Sequence, residues 1–237
     1  MNYKTIMIRL KHELLSESYY QYCRASWEWV DLRTYDAVIP GTLEQQNGKL
    51  TFGRRNNKEL SDTEKAAFYS QYNLWKKCAH ENMPILVLEH DAFCVNPTAI
   101  GFNPNLGVQY FGQHSMEAVM YHPAFAKLLC DYCEDPDKIV TGPMKLVDSL
   151  LGLFNLGAQS RYGWPHARYQ GKMAPVKTIL DPERGTSIMH NDGRTTVDRI
   201  KRGDRDLFKI VNLKRAEHEA KQRIEYEKAL EKKKAEG

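Results

Sequence analysis

The residues with the clearest chemical potential lie in the stretch Met83 to Val95, MPILVLEHDAFCV. Glu89 and Asp91 stand one residue apart, directly after the apolar run Ile85-Leu86-Val87-Leu88. Two carboxylates at this spacing can both reach a hard cation and the phosphates it carries. A short apolar run opened by a proline predicts a buried strand, read here as parallel. Open α/β sheets gather ligand chemistry at the carboxyl ends of such strands. The plainer reading of the same residues is a strand-end turn with two solvated acids. A second candidate motif, Cys130-Asp-Tyr-Cys133, has redox spacing but falls in a helical pattern with Ala126, Leu128 and Leu129. No second CxxC accompanies it, so the five cysteines are expected to be reduced, packed thiols.

The elements that must position these residues follow from the pattern. Tyr3 to Leu10 alternates well enough to predict a first strand, and Tyr35 to Ile39, closed by Pro40-Gly41, predicts a second. Glu17 to Val30 reads as an aromatic-rich helix. Ser61-Asp-Thr-Glu64 is a capping box that opens a helix running to about Asn82. Gly107 to Phe111 and Ala118 to Tyr121 predict short strands, and His122-Pro123 opens a helix to Cys133. Met144 to Leu156 reads as a further helix, and Ile179 to Arg194 as irregular. Alternation of strands and helices over Tyr3 to Leu156 predicts an α/β domain with a mostly parallel central sheet, expected to span residues 1–192. Residues 193–237 form a basic extension that turns helical from about Asp204, with Glu217–Lys221 and Glu219–Arg223 as i, i+4 pairs.

Of the 237 residues, 42% are hydrophobic and 27% charged, as in ordinary globular chains. No run approaches the roughly 18 apolar residues of a membrane helix, and the first residues lack the apolar core of a signal peptide. A cytoplasmic protein without membrane insertion is expected, in the host cytoplasm if the chain is viral. The net charge of +4 is unevenly spread. From Arg194 to Arg215, eight Lys or Arg face three Asp, a local excess larger than that of the whole chain. Such a segment suits a polyanionic partner, or is simply a solvated basic face.

The block EKAAFYSQYNLWKKCAHENMPILVLEHDA resembles the central block of glycosyltransferase family 25, which includes lipooligosaccharide sugar transferases and collagen hydroxylysine galactosyltransferases. The family block has a helix carrying Ser-His and a Trp, then an apolar strand ending in Glu-Asp-Asp. Here Ser70 and Trp75 match, Gln71 replaces the His, and His90 replaces the middle Asp. AVMYHPAFAKLL, with Tyr121 and the run Ala126 to Leu129, and then PMKLVD resemble the family's following segments. Ser187-Ile188, followed by His190, is a weaker match to the family's Ser-Asp-Ile. The resemblance spans about Tyr3 to His190 and leaves the basic tail outside.

It implies a GT-A-like fold and transfer of a sugar from a nucleotide sugar, of UDP type, to an acceptor hydroxyl. A Mn²⁺ or Mg²⁺ ion would neutralise the diphosphate leaving group. Asp91 is the expected ligand and His190 a candidate further ligand. Glu89 is placed on the ribose or on metal-bound water. Asp148 is the candidate base for the acceptor hydroxyl, or a helix-start acid favoured by the dipole. Arg9 is placed to meet a phosphate, or to form a surface salt bridge. Ser70 and Gln71 are placed to contact the nucleotide or brace the acidic turn.

Three acceptor classes stay open: a surface glycan, a protein hydroxylysine, and 5-hydroxymethylcytosine in DNA, as modified by transferases of tailed phages. The loop RYGWPHARYQGK interleaves Arg161, Trp164, Arg168, Tyr169 and Lys172, a composition suited to a nucleic-acid backbone and stacked bases. With Arg199, Lys201 and Arg202 in the tail, it favours DNA. Trp164 then reads as a base-flipping wedge, and alternatively, with Tyr169, as core. A non-catalytic nucleic-acid-binding module on a degenerate transferase fold is the remaining reading, with His90 as its argument.

Overall fold

A computed structural model describes residues 3–46, 50–55, 57–112, 116–151, 164–169, 174–180, 208–209 and 214–236. Strand β1 (Lys4–Arg9) alternates its side chains between two apolar layers: Ile6 faces one and Met7 the other. β5 (Ile85–Leu88) is buried along its whole length and divides in the same way, Ile85 and Val87 against Leu86 and Leu88. A strand covered on both faces needs no polar alternation, which is why its sequence runs apolar without a break.

The six-stranded sheet has the order β2-β1-β5-β8-β7-β9. Here β2 is Leu32–Asp36, β7 Val108–Tyr110, β8 Ala118–Tyr121 and β9 His166–Arg168. The β2–β1, β1–β5 and β7–β9 pairings are parallel, whereas β8 runs antiparallel to both β5 and β7. The central strand is thus parallel to one neighbour and antiparallel to the other. A smaller sheet joins β11 (Phe208–Lys209), β10 (Val176–Leu180) and β6 (Ala92–Cys94). A hairpin, β3 (Arg54–Arg55) and β4 (Lys58–Glu59), lies in the loop before the second helix.

One face of the main sheet is covered by α2 (Asp62–His80), α3 (Pro123–Glu134) and α4 (Pro143–Leu150), through Phe68, Trp75, Phe125, Leu129 and Val147. The other is covered by α1 (Leu14–Arg24) and the 3-10 turn Ala25–Trp27, through Tyr19, Tyr20, Cys23 and Trp27. The capping box at α2 is present: Ser61 Oγ accepts from Glu64 N–H at 3.2 Å, and Glu64 accepts from Ser61 N–H at 2.9 Å.

The structure corrects several expectations. β2 begins three residues before the predicted strand, because its parallel register sets Leu32 opposite Thr5 and Asp36 opposite Arg9. Val38, expected within that strand, leaves the sheet and packs toward α2, its N–H donating to Ser70 Oγ at 2.9 Å. β6 and β10 have no separate sequence signal. Each is completed by a partner some 80 residues away. Ile179, expected in an irregular stretch, lies in β10. The helix expected to reach Leu156 is described as α4, and its further residues lie outside the described ones.

The C-terminal helix α5 (Lys214–Glu236) packs along α1. Its Ala216, Ala220 and Ile224 are buried, three small or branched residues on one stripe of an otherwise polar sequence. Glu217 pairs with Lys221 at 3.3 Å as predicted, and Arg223 pairs with Glu227 at 2.9 Å.

Candidate active site at the carboxyl end of the central strand

β5 ends at Leu88, and the chain turns at once: Ala92 N–H donates to the Glu89 carbonyl at 3.0 Å. The turn is clasped from both sides. Trp27 Nε1 donates to the Ala92 carbonyl at 2.9 Å, and Ile179 N–H donates to the Asp91 carbonyl at 3.0 Å. The three residues of the turn take different environments. His90 is buried against the Tyr19 ring, with ring centroids 6.1 Å apart, and burial pushes its pKa down to about 4. It is therefore a neutral packing residue at ordinary pH. Asp91 is 2% exposed, and its Oδ1 accepts no hydrogen bond. Burial, then the nearby Glu117 carboxylate, pushes the Asp91 carboxyl up to about 7. Glu89 is half-buried, and its carboxyl is held well above the usual range by desolvation, then by Asp91 and Glu117.

The acids therefore form one mutually repelling group at the end of β5. Among the described residues no three His, Cys, Asp or Glu converge in metal-ligand geometry. An orphaned, buried Asp91 oxygen beside Glu89 nevertheless suits a hard cation such as Mg²⁺ or Mn²⁺. Such ions are commonly held by one or two carboxylates, with substrate phosphates and water filling the other positions. His190 lies outside the described residues.

Asp148, on α4, is 3% exposed and faces β7. Its Oδ1 accepts from Tyr110 Oη at 2.7 Å and from Arg168 Nη2 at 2.9 Å. The Arg168 guanidinium also lies 4.3 Å from the Tyr110 ring centroid. Tyr121, paired with Ile85 across β5 and β8, is fully buried, and burial, with the charges of Asp148 and Glu89 among others, raises its hydroxyl pKa. Ser70 ties α2 to the end of β2, as noted above, and also donates to the Ala66 carbonyl at 3.0 Å. It is thus a brace between elements. Gln71 is 5% exposed and its Oε1 has no hydrogen-bond partner.

Several expected contact residues are occupied elsewhere. Arg9 is 4% exposed and lies on the α1 side of the sheet, opposite to Ile6 and Ile8. Its guanidinium pairs with Glu17 at 2.6 Å, Asp36 at 2.8 Å and Glu227 of α5 at 3.3 Å. Neither a free phosphate contact nor a surface bridge describes it, because the alternation of β1 turns it inward. Trp164 packs on Phe125 and His122. Tyr169 stacks on Phe111 at 5.6 Å. These rings and Arg168 belong to the packing around β9, not to an open stacking surface. Arg161, Lys172, Arg199, Lys201 and Arg202 lie outside the described residues.

The site contains one residue that the sequence pattern did not single out. Glu117 precedes an unremarkable short strand, and only the pairing of β8 with β5 carries it to Glu89. A charged residue immediately before an apolar strand, four residues from its end at Tyr121, was the only available signal.

Residues 28–101 match the family described as Glycosyltransferase family 25 (LPS biosynthesis protein). The matched segment contains β2, α2, β5 and the acidic turn. The class of protein is a glycosyltransferase, an enzyme that draws its sugar from a nucleotide sugar. A search of curated proteins gives no match. Among solved structures, one described as a glycosyltransferase involved in the glycosylation of the major capsid of PBCV-1 is similar. Its TM-score is 0.44 at 8% identity, covering 94% of this chain and 100% of that one.

Proposed function

We propose that the protein transfers a sugar from a nucleotide sugar to an acceptor hydroxyl with a divalent cation held by Asp91 and Glu89, and that its acceptor is 5-hydroxymethylcytosine in DNA. The observation that carries the catalytic part is the buried, orphaned Asp91 oxygen in a group of acids at the carboxyl end of β5. When bound, the cation would neutralise charge on the departing diphosphate. Glu89, at the half-open edge of the turn, is placed to meet the donor. Asp148 is the proposed base. Tyr110 and Arg168 both donate to its Oδ1 and fix the carboxylate. A base held in this way is oriented before the acceptor arrives.

The DNA acceptor rests on the basic segment Arg194 to Arg215. Neutralising phosphates with such a segment supplies sequence-independent affinity. The description of the matched family as an LPS biosynthesis protein favours the second reading, a surface glycan. The deciding experiment is an intact-mass assay with Mn²⁺, a panel of nucleotide sugars and a duplex oligonucleotide containing 5-hydroxymethylcytosine. The expected result is a hexose or pentose added to the oligonucleotide, abolished by Asp91→Ala. Donor hydrolysis without transfer to DNA moves the acceptor to glycan or protein. Loss of both hydrolysis and transfer across the panel would sink the enzyme reading and leave the binding module.

A further inference from the structure

Glu117 sits where no apolar sheet would place an acid. The β5–β8 register pairs Leu88 with Ala118, and Glu89 N–H donates to the Glu117 carbonyl at 2.9 Å. Continuing that register sets Glu89 directly across from Glu117. Facing residues in an antiparallel pair have Cβ atoms about 4.5–5.5 Å apart, and like charges there are destabilising. Glu117 is nonetheless 5% exposed.

Its carboxylate is also held in place. Thr178 Oγ1, from β10, donates to Glu117 Oε1 at 3.0 Å. On the other side, a Cβ at Gly112 would collide with Glu117 Oε2, would come within 3.0 Å of Glu117 Cβ, and would crowd the Ala118 nitrogen at 3.2 Å. A larger residue at position 112 would displace this carboxylate. The turn after β5 and the start of β8 therefore bring three acids together, and the third, Asp91, keeps a buried oxygen with no hydrogen-bond partner.

We propose that Glu117 is a positioning residue of the cation site, its carboxylate fixed by Thr178 and Gly112 so that it acts on the ion through Glu89, Asp91 and bound water. The inference rests on the reading of Asp91 and Glu89 as the cation-binding pair. Outer partners of this kind typically change metal affinity by about 10–100-fold.

The test is calorimetric titration of the full chain with Mn²⁺ alone, in two buffers of different ionisation heat to count protons released. Glu117→Gln keeps the shape and the acceptor for Thr178 and removes only the charge. The expected result is Mn²⁺ affinity lower by about 10–100-fold and fewer protons released, with the circular dichroism spectrum unchanged. A merely structural Glu117, bracing β10 through Thr178, predicts wild-type affinity and proton count, and that result overturns the proposal. Should Glu117→Gln not fold, Gly112→Ala keeps all three charges but displaces the carboxylate; wild-type affinity in that variant overturns it equally. Asp91→Asn separates the two readings. Loss of binding in Asp91→Asn with full affinity in Glu117→Gln removes Glu117 alone. No Mn²⁺ binding by the wild type, or unchanged binding by Asp91→Asn, removes the cation pair and this proposal with it.

Discussion

At the scale of single residues, the acidic turn carries a pH signature with a definite sign. The Asp91 carboxyl titrates at about 7 in the folded chain and near 3.9 when unfolded. The folded state thus holds an extra proton between these limits, and this contribution to stability is lost as pH rises from about 4 through 7. His90 acts in the opposite direction. Its folded pKa is about 4 against roughly 6.5 unfolded, so its contribution is lost as pH falls. The two oppose each other below about pH 6.5, and comparison of variants separates them. In urea unfolding without divalent ions, Asp91→Asn should gain stability relative to wild type as pH is raised from 5 to 7.5, by on the order of a few kcal/mol. A parallel pH dependence for the two proteins would contradict the buried carboxyl. Arg168→Ala should cost about 1–2 kcal/mol, between the limits for surface and buried pairs, because Asp148 stays buried while Arg168 is 30% exposed in its side chain. If Asp148 is the base, the same variant should lower kcat more than it changes KM for the donor.

At the scale of elements, α2 and α5 hold the site's surroundings. Ser61→Ala removes one side of the α2 capping box and should destabilise the protein by about 1 kcal/mol in thermal or urea unfolding. α5 is the less expected element. Its buried stripe of Ala216, Ala220 and Ile224 is narrow, and its ion pairs reach the end of β1: Glu227 to Arg9, and Glu231 to Lys11 at 2.5 Å. Glu227→Ala should have little effect, since Glu17 and Asp36 still neutralise Arg9. Ile224→Asn, which buries an amide against α1, should cost about 2–3 kcal/mol and increase proteolysis within residues 214–236. Equal, small effects of both variants would mean that α5 is not held by its apolar stripe.

At the scale of the molecule, the charge is concentrated in one stretch of the chain, with the basic excess mostly in residues 194–215. If that excess serves a DNA acceptor, binding to a duplex should weaken steeply with salt. Neutralising Arg199, Lys201 and Arg202 together should reduce the salt slope by about one unit per charge, without altering donor hydrolysis. A salt slope equal to that of wild type would remove this segment from any nucleic-acid interface.

The sequence by itself determined the elements with strong local signals: the unbroken apolar strand β5, the capped helix α2, the proline-opened helix α3 and the acid pair after β5. Each owes its form to neighbours within a few residues, so each is written in a short window. The tertiary structure decided what depends on distant partners. β6 and β10 exist through each other, Arg9 turns inward because of strand alternation and three carboxylates from separate elements, and Tyr169 and Trp164, flanking β9, are claimed by Phe111 and Phe125. Glu117 joins the acids only because β8 runs antiparallel beside β5. Local propensity fixes helices and strands, but which charges meet is set by register and packing, and those are properties of the folded chain.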